Sequence, residues 1–207
     1  MSCSKVHRDA LMAEQIRRIG PETVRTRAIA ALQGGAKPPW NNDHKEIFLA
    51  SWMVRERLCQ ELAEPGQNGG RMYVLGVQSA VIPVVKVGSS GKPGNQIREY
   101  QIQGRNWGLG LVDGWVSAPV GTRSDACRLE STILHELHVV LNGRVPGGRT
   151  FEWFHGHDFE RIKTLVQHLD MLLEESLFEA WGANAADPST NLAETDTVRG
   201  RPAGRTR

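Results

Sequence analysis

Met72-Tyr73-Val74-Leu75-Gly76-Val77, followed by Val84-Val85-Lys86-Val87-Gly88, decides how this chain folds. Both runs are dense in residues that fit a pleated, half-buried surface, and they lie close enough to pair as a hairpin. Pro83 has no N–H for a ladder, which confines it to the start of the second strand. The preceding Gln67-Asn68-Gly69-Gly70 is a linker signal, and a boundary is expected there.

Upstream, the texture is helical. Ala10-Leu11-Met12, Ile16 and Ile19 form a short amphipathic pattern broken by Gly20-Pro21-Glu22; Val24, Ala28, Ile29 and Leu32 continue it to Gly34-Gly35. A third helix, capped by Asn42 or Asp43, carries Ile47, Phe48, Trp52, Leu58 and Leu62 and ends at Pro65-Gly66. Downstream, a short helix is expected over Gln96 to Gln103, a strand over Leu109 to Ser117, and a helix from a cap at Ser124 or Asp125 through Leu141. A glycine-rich loop from Asn142 to Gly148 leads to an aromatic strand, Thr150 to Phe154, and a last helix over Asp158 to Trp181. The expected fold class is α+β, a small antiparallel β-sheet flanked by helices. Residues 1–66 are read as a helical extension, 67–181 as the sheet-containing domain and 182–207 as a disordered basic tail.

The composition agrees. The chain has 207 residues, 40% hydrophobic and 23% charged, values of an ordinary globular protein rather than a collagen or coiled coil. No run approaches the ~18 apolar residues of a membrane span, and Lys5, His7, Arg8 and Asp9 stand where a secretory apolar stretch would lie, so a cytoplasmic protein with no membrane partner is expected. Three cysteines with no CxxC pair argue against a disulfide framework and a cysteine-built zinc site. Net charge is only +2, but residues 71–149 hold nine Lys/Arg against five Asp/Glu, which suits approach to phosphate by one surface.

Four residues of the middle region stand out: Tyr73, Lys86, Arg98 and Glu130. At 100° per residue, Leu134, Leu137 and Leu141 fall within about 40° of Glu130, so this carboxylate sits on the apolar stripe and wants a partner, either an arginine or a metal ion. Lys86, between Val85 and Val87, reads by pattern as a lysine on the solvent face of its strand.

The order of these residues resembles the GIY-YIG nuclease family: a Tyr on a first strand, a residue-Val-Gly triplet on the second, an Arg on the next helix and a Glu on the following long helix. The match runs from about residue 71 to 154. Arg71-Met72-Tyr73 keeps only the Tyr of the first motif; Lys86-Val87-Gly88-Ser89-Ser90 keeps the Gly of the second and puts Lys in the place of Tyr. Arg149-Thr150-Phe151-Glu152-Trp153-Phe154 is similar to the ending of a phage-associated branch. The Asn that usually follows the family's Glu has no firm counterpart; Asn142 and Glu152 are the candidates, and Gly88 and Ser89 belong to the same motif.

The resemblance implies an endonuclease that hydrolyses DNA phosphodiesters with a divalent metal, Mg2+ or Mn2+. It gives Tyr73 the role of general base or relay, Arg98 that of a planar donor to phosphate oxygens, and Glu130 that of the metal ligand. A phenol titrates near ~10, too high for a base at neutral pH, so the ammonium of Lys86 is expected to bring the Tyr73 value down. One alternative is a DNA-binding protein that keeps the fold without catalysis; another is a zinc-dependent hydrolase or zinc-stabilised module using His135, His138, His155 and His157. His135-Glu136-Leu137-His138 has its second His one residue too early for the zinc-protease motif. At the flanks, Ile16 to Leu32 with Arg17, Arg18, Arg25 and Arg27 has the outline of a helix-turn-helix, and Arg199-Gly200-Arg201-Pro202 is similar to a minor-groove hook.

Overall fold

The computed structural model describes residues 5–35, 44–63, 69–142 and 152–185, which hold six helices and one four-stranded antiparallel sheet. Near the N-terminus, α1 (Lys5–Ile19) and α2 (Pro21–Gln33) are separated by Gly20, whose φ of 91° a residue with a Cβ rarely adopts. Pro21 opens α2 at a position that needs no N–H. Val24, Ala28 and Leu32 fall four apart on one face and are buried with Ile16 and with Ile47, Leu49 and Ala50 of α3 (Lys45–Ala63). Trp52 Nε1 on α3 donates to Asp9 Oδ1 on α1 at 3.1 Å.

The sheet runs β3-β1-β2-β4, with β1 (Arg71–Gln78), β2 (Pro83–Ser90), β3 (Gly110–Val116) and β4 (Trp153–His155). In the β1–β2 hairpin Tyr73 faces Gly88, Leu75 faces Lys86 and Val77 faces Val84. Because side chains alternate between faces, these six share one face. Val54 and Leu58 of α3, with Ile97 of α4 (Pro93–Trp107), close over it. The approach of α3 to β3 depends on Gly114, where a Cβ would lie 2.6 Å from Leu58 Cδ1. The opposite face receives α5 (Arg123–Asn142) and Phe159, the first residue of α6 (Phe159–Ala185). Every residue of β1 is buried, as expected of a strand covered on both sides.

Several boundaries differ from the sequence reading for identifiable reasons. Thr122, rather than Ser124 or Asp125, starts α5: its N–H and hydroxyl donate to Asp125 Oδ2 at 2.8 and 2.7 Å while the Asp125 N–H donates back to Thr122 Oγ1. That is a reciprocal capping box, legible in the spacing Thr-x-x-Asp. Pro93 extends α4 toward its start, and Gly108 ends it in the left-handed conformation. Helix α6 runs to Ala185, so residues 182–185 are helical; the rest of the expected tail, with its Arg-Gly-Arg-Pro, lies outside the described residues, as do Asn42, Asp43 and the loop 143–151.

Met1–Asp170 forms one compact unit and Met171–Arg207 a second. Within the first, α2 and α3 pack on β3 and share a core with Val112. The linker signal at 67–70 marks a change from helix to strand inside this unit. Among the described residues no helix is long and apolar enough to cross a membrane.

Candidate functional site

The β1–β2 register puts Tyr73, Lys86 and Gly88 on one patch of one sheet face. Gly88 is the residue that allows it. A Cβ there would lie 2.5 Å from Tyr73 Oη and 2.7 Å from Cζ, so the tyrosine ring occupies the space that any other residue's side chain would need.

Lys86 is not on a solvent face. It is 1% exposed, because α3 and α4 cover the face that the alternation pattern assigned to water. Its ammonium is paired with Glu152, immediately before β4, and donates to the Val87 carbonyl at 3.1 Å. Three aromatic rings surround it, those of Tyr73, Tyr100 and Trp153, with centroids 5.8, 5.6 and 5.8 Å from Nζ. Such faces attract a cation, by about 0.5–2 kcal/mol each. Burial still dominates: it draws the lysine pKa from 10.5 down to about 8, with Glu130 acting in the opposite direction.

Tyr73 corrects the expected chemistry. Its pKa is raised, first by burial, then by the charge of and hydrogen bond to Tyr100, and by Glu130 and Glu99. Lys86 does not produce a phenolate here. The phenol keeps its proton, and the group with proton affinity near neutrality is Lys86. Tyr100 is also raised by burial, although its bond to Tyr73 acts to lower it.

Glu130, one face of the sheet away, reaches the same patch electrostatically, acting on Tyr73, Lys86 and Tyr100. It is half-buried, and its Oε2 accepts from Ser89 Oγ at 2.5 Å. Its partner is therefore a hydroxyl. Cys127, one turn earlier on α5 and exposed, lies 3.7 Å from the same Ser89 Oγ. A lone carboxylate with water and phosphate completing the shell fits the way Mg2+ is bound. Among the described residues no three His, Cys, Asp or Glu gather as a metal-binding group; His138 is buried and stacks on Phe154 at 4.8 Å, while His135 and His155 are exposed.

Arg98 is not brought to the patch. Ile97 is buried and Tyr100 faces Lys86, so at 100° per residue Arg98 lies about 130° from their mean direction, on the exposed side of α4. The buried guanidinium on the Tyr73 face is Arg71, two residues earlier on β1, whose Nη1 donates to the Ser117 carbonyl at 2.7 Å. Asn142 ends α5, and its side chain lies outside the described residues. Sequence reasoning missed Tyr100, Arg71 and Trp153. The signals were present: Tyr100 is three residues after Ile97 on a helix face, Arg71 shares strand parity with Tyr73, and Trp153 is the register partner of Lys86.

At the N-terminal pair, Arg25 is bound to Asp113 of β3 at 3.1 Å and Arg17 to Glu14, leaving Arg18 and Arg27 as the exposed cations of that group not held in those two pairs.

No family model, no curated protein and no solved structure matches this chain.

Proposed function

We propose that this protein is a metal-dependent endonuclease that hydrolyses phosphodiester bonds in DNA. The observation that carries the proposal is that Tyr73 and Lys86 share one sheet face with Gly88 while Glu130, bonded to the adjacent Ser89, acts electrostatically on both, in the chain order that the GIY-YIG resemblance requires.

Hydrolysis needs a base for the attacking water, positive charge for the phosphate in the transition state, and help for the leaving oxygen. Lys86, drawn to about 8, is the residue suited to take a proton. Tyr73, which keeps its own, is suited to relay: it gives its proton toward the amine as it receives one from water. Glu130 would hold a divalent cation, which supplies Lewis-acid stabilisation of the phosphate when bound. A substrate phosphate has to displace the Tyr100 hydroxyl from Tyr73, a residue only 3% exposed.

That burial, with Arg98 turned outward, favours a second reading in which the chain binds DNA without cutting it. Incubating the full chain with supercoiled plasmid, with Mg2+, with Mn2+ and with chelator, separates the two. Metal-dependent nicking supports the endonuclease; shifted but intact plasmid supports the binder.

A further inference from the structure

Helix α2 presents two faces of different character. At 100° per residue, Val24, Ala28 and Leu32 centre one face, which is buried against α3 and β3. Thr23, Thr26, Ala30 and Gln33 fall within about 40° of the opposite direction, and all four are exposed. Arg27, also exposed, flanks this outer strip on one side, and Glu22 in the first turn flanks it on the other. Arg25 is turned toward the sheet, held to Asp113 of β3 at 3.1 Å.

A helix face that meets only water is ordinarily built of Glu, Lys and other strong helix formers. The centre of this one has two threonines, whose β-branched side chains lose rotamer freedom in a helix, with an alanine and a glutamine. Water gives no return for that choice, but a DNA major groove does. There threonine and alanine methyls meet the thymine methyl, threonine hydroxyls bond to base edges, and a glutamine amide pairs with adenine. The small residues also let the helix axis come close to the bases. Thr23 to Gln33 extends about 15 Å along the helix, or roughly four base-pair steps.

The surrounding charge agrees. Residues 5–35 hold six Lys/Arg against three Asp/Glu. Helix α1 ends in Arg17 and Arg18 just before the Gly20 turn, which puts cations beside the start of α2. Two of the three acids are engaged, Asp9 by Trp52 and Glu14 by Arg17. The patch around Gly88 needs such help, because Tyr73 and Lys86 are buried and Arg98 is turned away from it.

We infer that α2 is a recognition helix that enters the major groove of duplex DNA, with Thr23, Thr26, Ala30 and Gln33 against base edges and Arg18 and Arg27 on flanking phosphates. This rests on the nucleic-acid reading and adds a second contact surface to the patch around Gly88.

The test is binding without cleavage. The full chain is titrated in chelator, across a series of salt concentrations, with a short labelled duplex of mixed sequence and with the same duplex carrying bulky sugar substituents at cytosine C5, which fill the major groove. Thr26→Glu should weaken binding roughly tenfold or more by setting a carboxylate among base edges and phosphates. Thr164→Glu, the same change at an exposed position of α6, should weaken it by less than about twofold. Arg27→Ala should reduce the slope of log K against log salt by ~0.9, the signature of one lost phosphate contact. The substituted duplex should bind roughly tenfold more weakly or worse. Equal losses for the two glutamate variants, an unchanged slope for Arg27→Ala, undiminished binding of the substituted duplex, or no binding by wild type would overturn the inference. So would an RNA duplex of the same sequence bound equally well, because its deep, narrow major groove admits no helix. Melting temperature checks that Thr26→Glu is folded; Arg27→Ala and the substituted duplex carry the test if it is not. Plasmid cleavage with Mg2+ is scored separately. A wild type that binds with these signatures but never cuts leaves the recognition helix standing and removes the endonuclease; one that cuts, while Thr26→Glu binds as tightly, keeps the endonuclease and removes the recognition helix.

Discussion

Gly88 faces Tyr73 across the β1–β2 ladder, and a methyl group on Gly88 would lie 2.5 Å from the tyrosine hydroxyl oxygen. The glycine is thus required by the position of one particular ring. Gly88→Ala must push Tyr73 away or distort two central strands, at a cost of about 1–3 kcal/mol. Urea unfolding checks this, and a variant as stable as wild type would show that the ring does not lie over Gly88.

Lys86 gives a pH-dependent signature. Its folded pKa is about 8 against an ordinary 10.5, so the unfolded chain binds more protons between those values. Stability from this group is therefore absent below about pH 8 and grows as pH rises toward 10.5. Lys86→Met has no such rise, and the difference between the two proteins in thermal unfolding at pH 7.5 and pH 10 isolates it. At neutral pH the variant should be as stable as wild type or more so, by up to ~1–4 kcal/mol, since a buried ion pair is exchanged for an apolar side chain. Glu152 is 41% exposed and can be hydrated once its partner is gone.

Much of the fold was legible because hydrophobic pattern and turn chemistry agree: the hairpin, its register parity and the order of helices follow from β-rich runs bounded by Gly and Pro. Lys86 and Arg98 were not legible, for opposite reasons. A lysine between valines reads as solvent-facing unless one knows that α3 and α4 cover that face, which is a tertiary fact. Arg98 has the right order along the chain, but its rotation about α4 is set by Ile97 packing into the core. Glu130 was placed correctly on its stripe; only its partner, Ser89, depends on how the end of β2 meets α5.

Glu130→Gln distinguishes a metal ligand from a structural ion pair. Its hydrogen-bond partner is the Ser89 hydroxyl, which an amide oxygen can also accept from, so stability should change by less than about 1 kcal/mol. Metal affinity and cleavage should nonetheless fall by orders of magnitude. Melting temperature and metal titration on one preparation decide it; a loss of roughly 3–5 kcal/mol would mean that a buried cation had been stranded.

Asp113 ties helices to the sheet edge, its two oxygens each 3.1 Å from Arg25 of α2 and Arg57 of α3. Asp113→Asn should cost about 1–3 kcal/mol while leaving DNA binding per molecule unchanged or stronger, because two arginines are released. Chemical denaturation and duplex titration of the same sample measure both effects.

The most direct test of the hydrolytic account is a single-turnover pH–rate profile of plasmid cleavage in Mg2+ for wild type, Lys86→Met and Glu130→Gln, each shown to be folded. Cleavage by wild type should need the metal and rise through about pH 8 as Lys86 loses its proton. Both variants should be slower by ~10²-fold or more, and Lys86→Met should lose that inflection. A folded wild type that binds plasmid and leaves it intact at every pH, or variants that cut at the wild-type rate, would contradict the account.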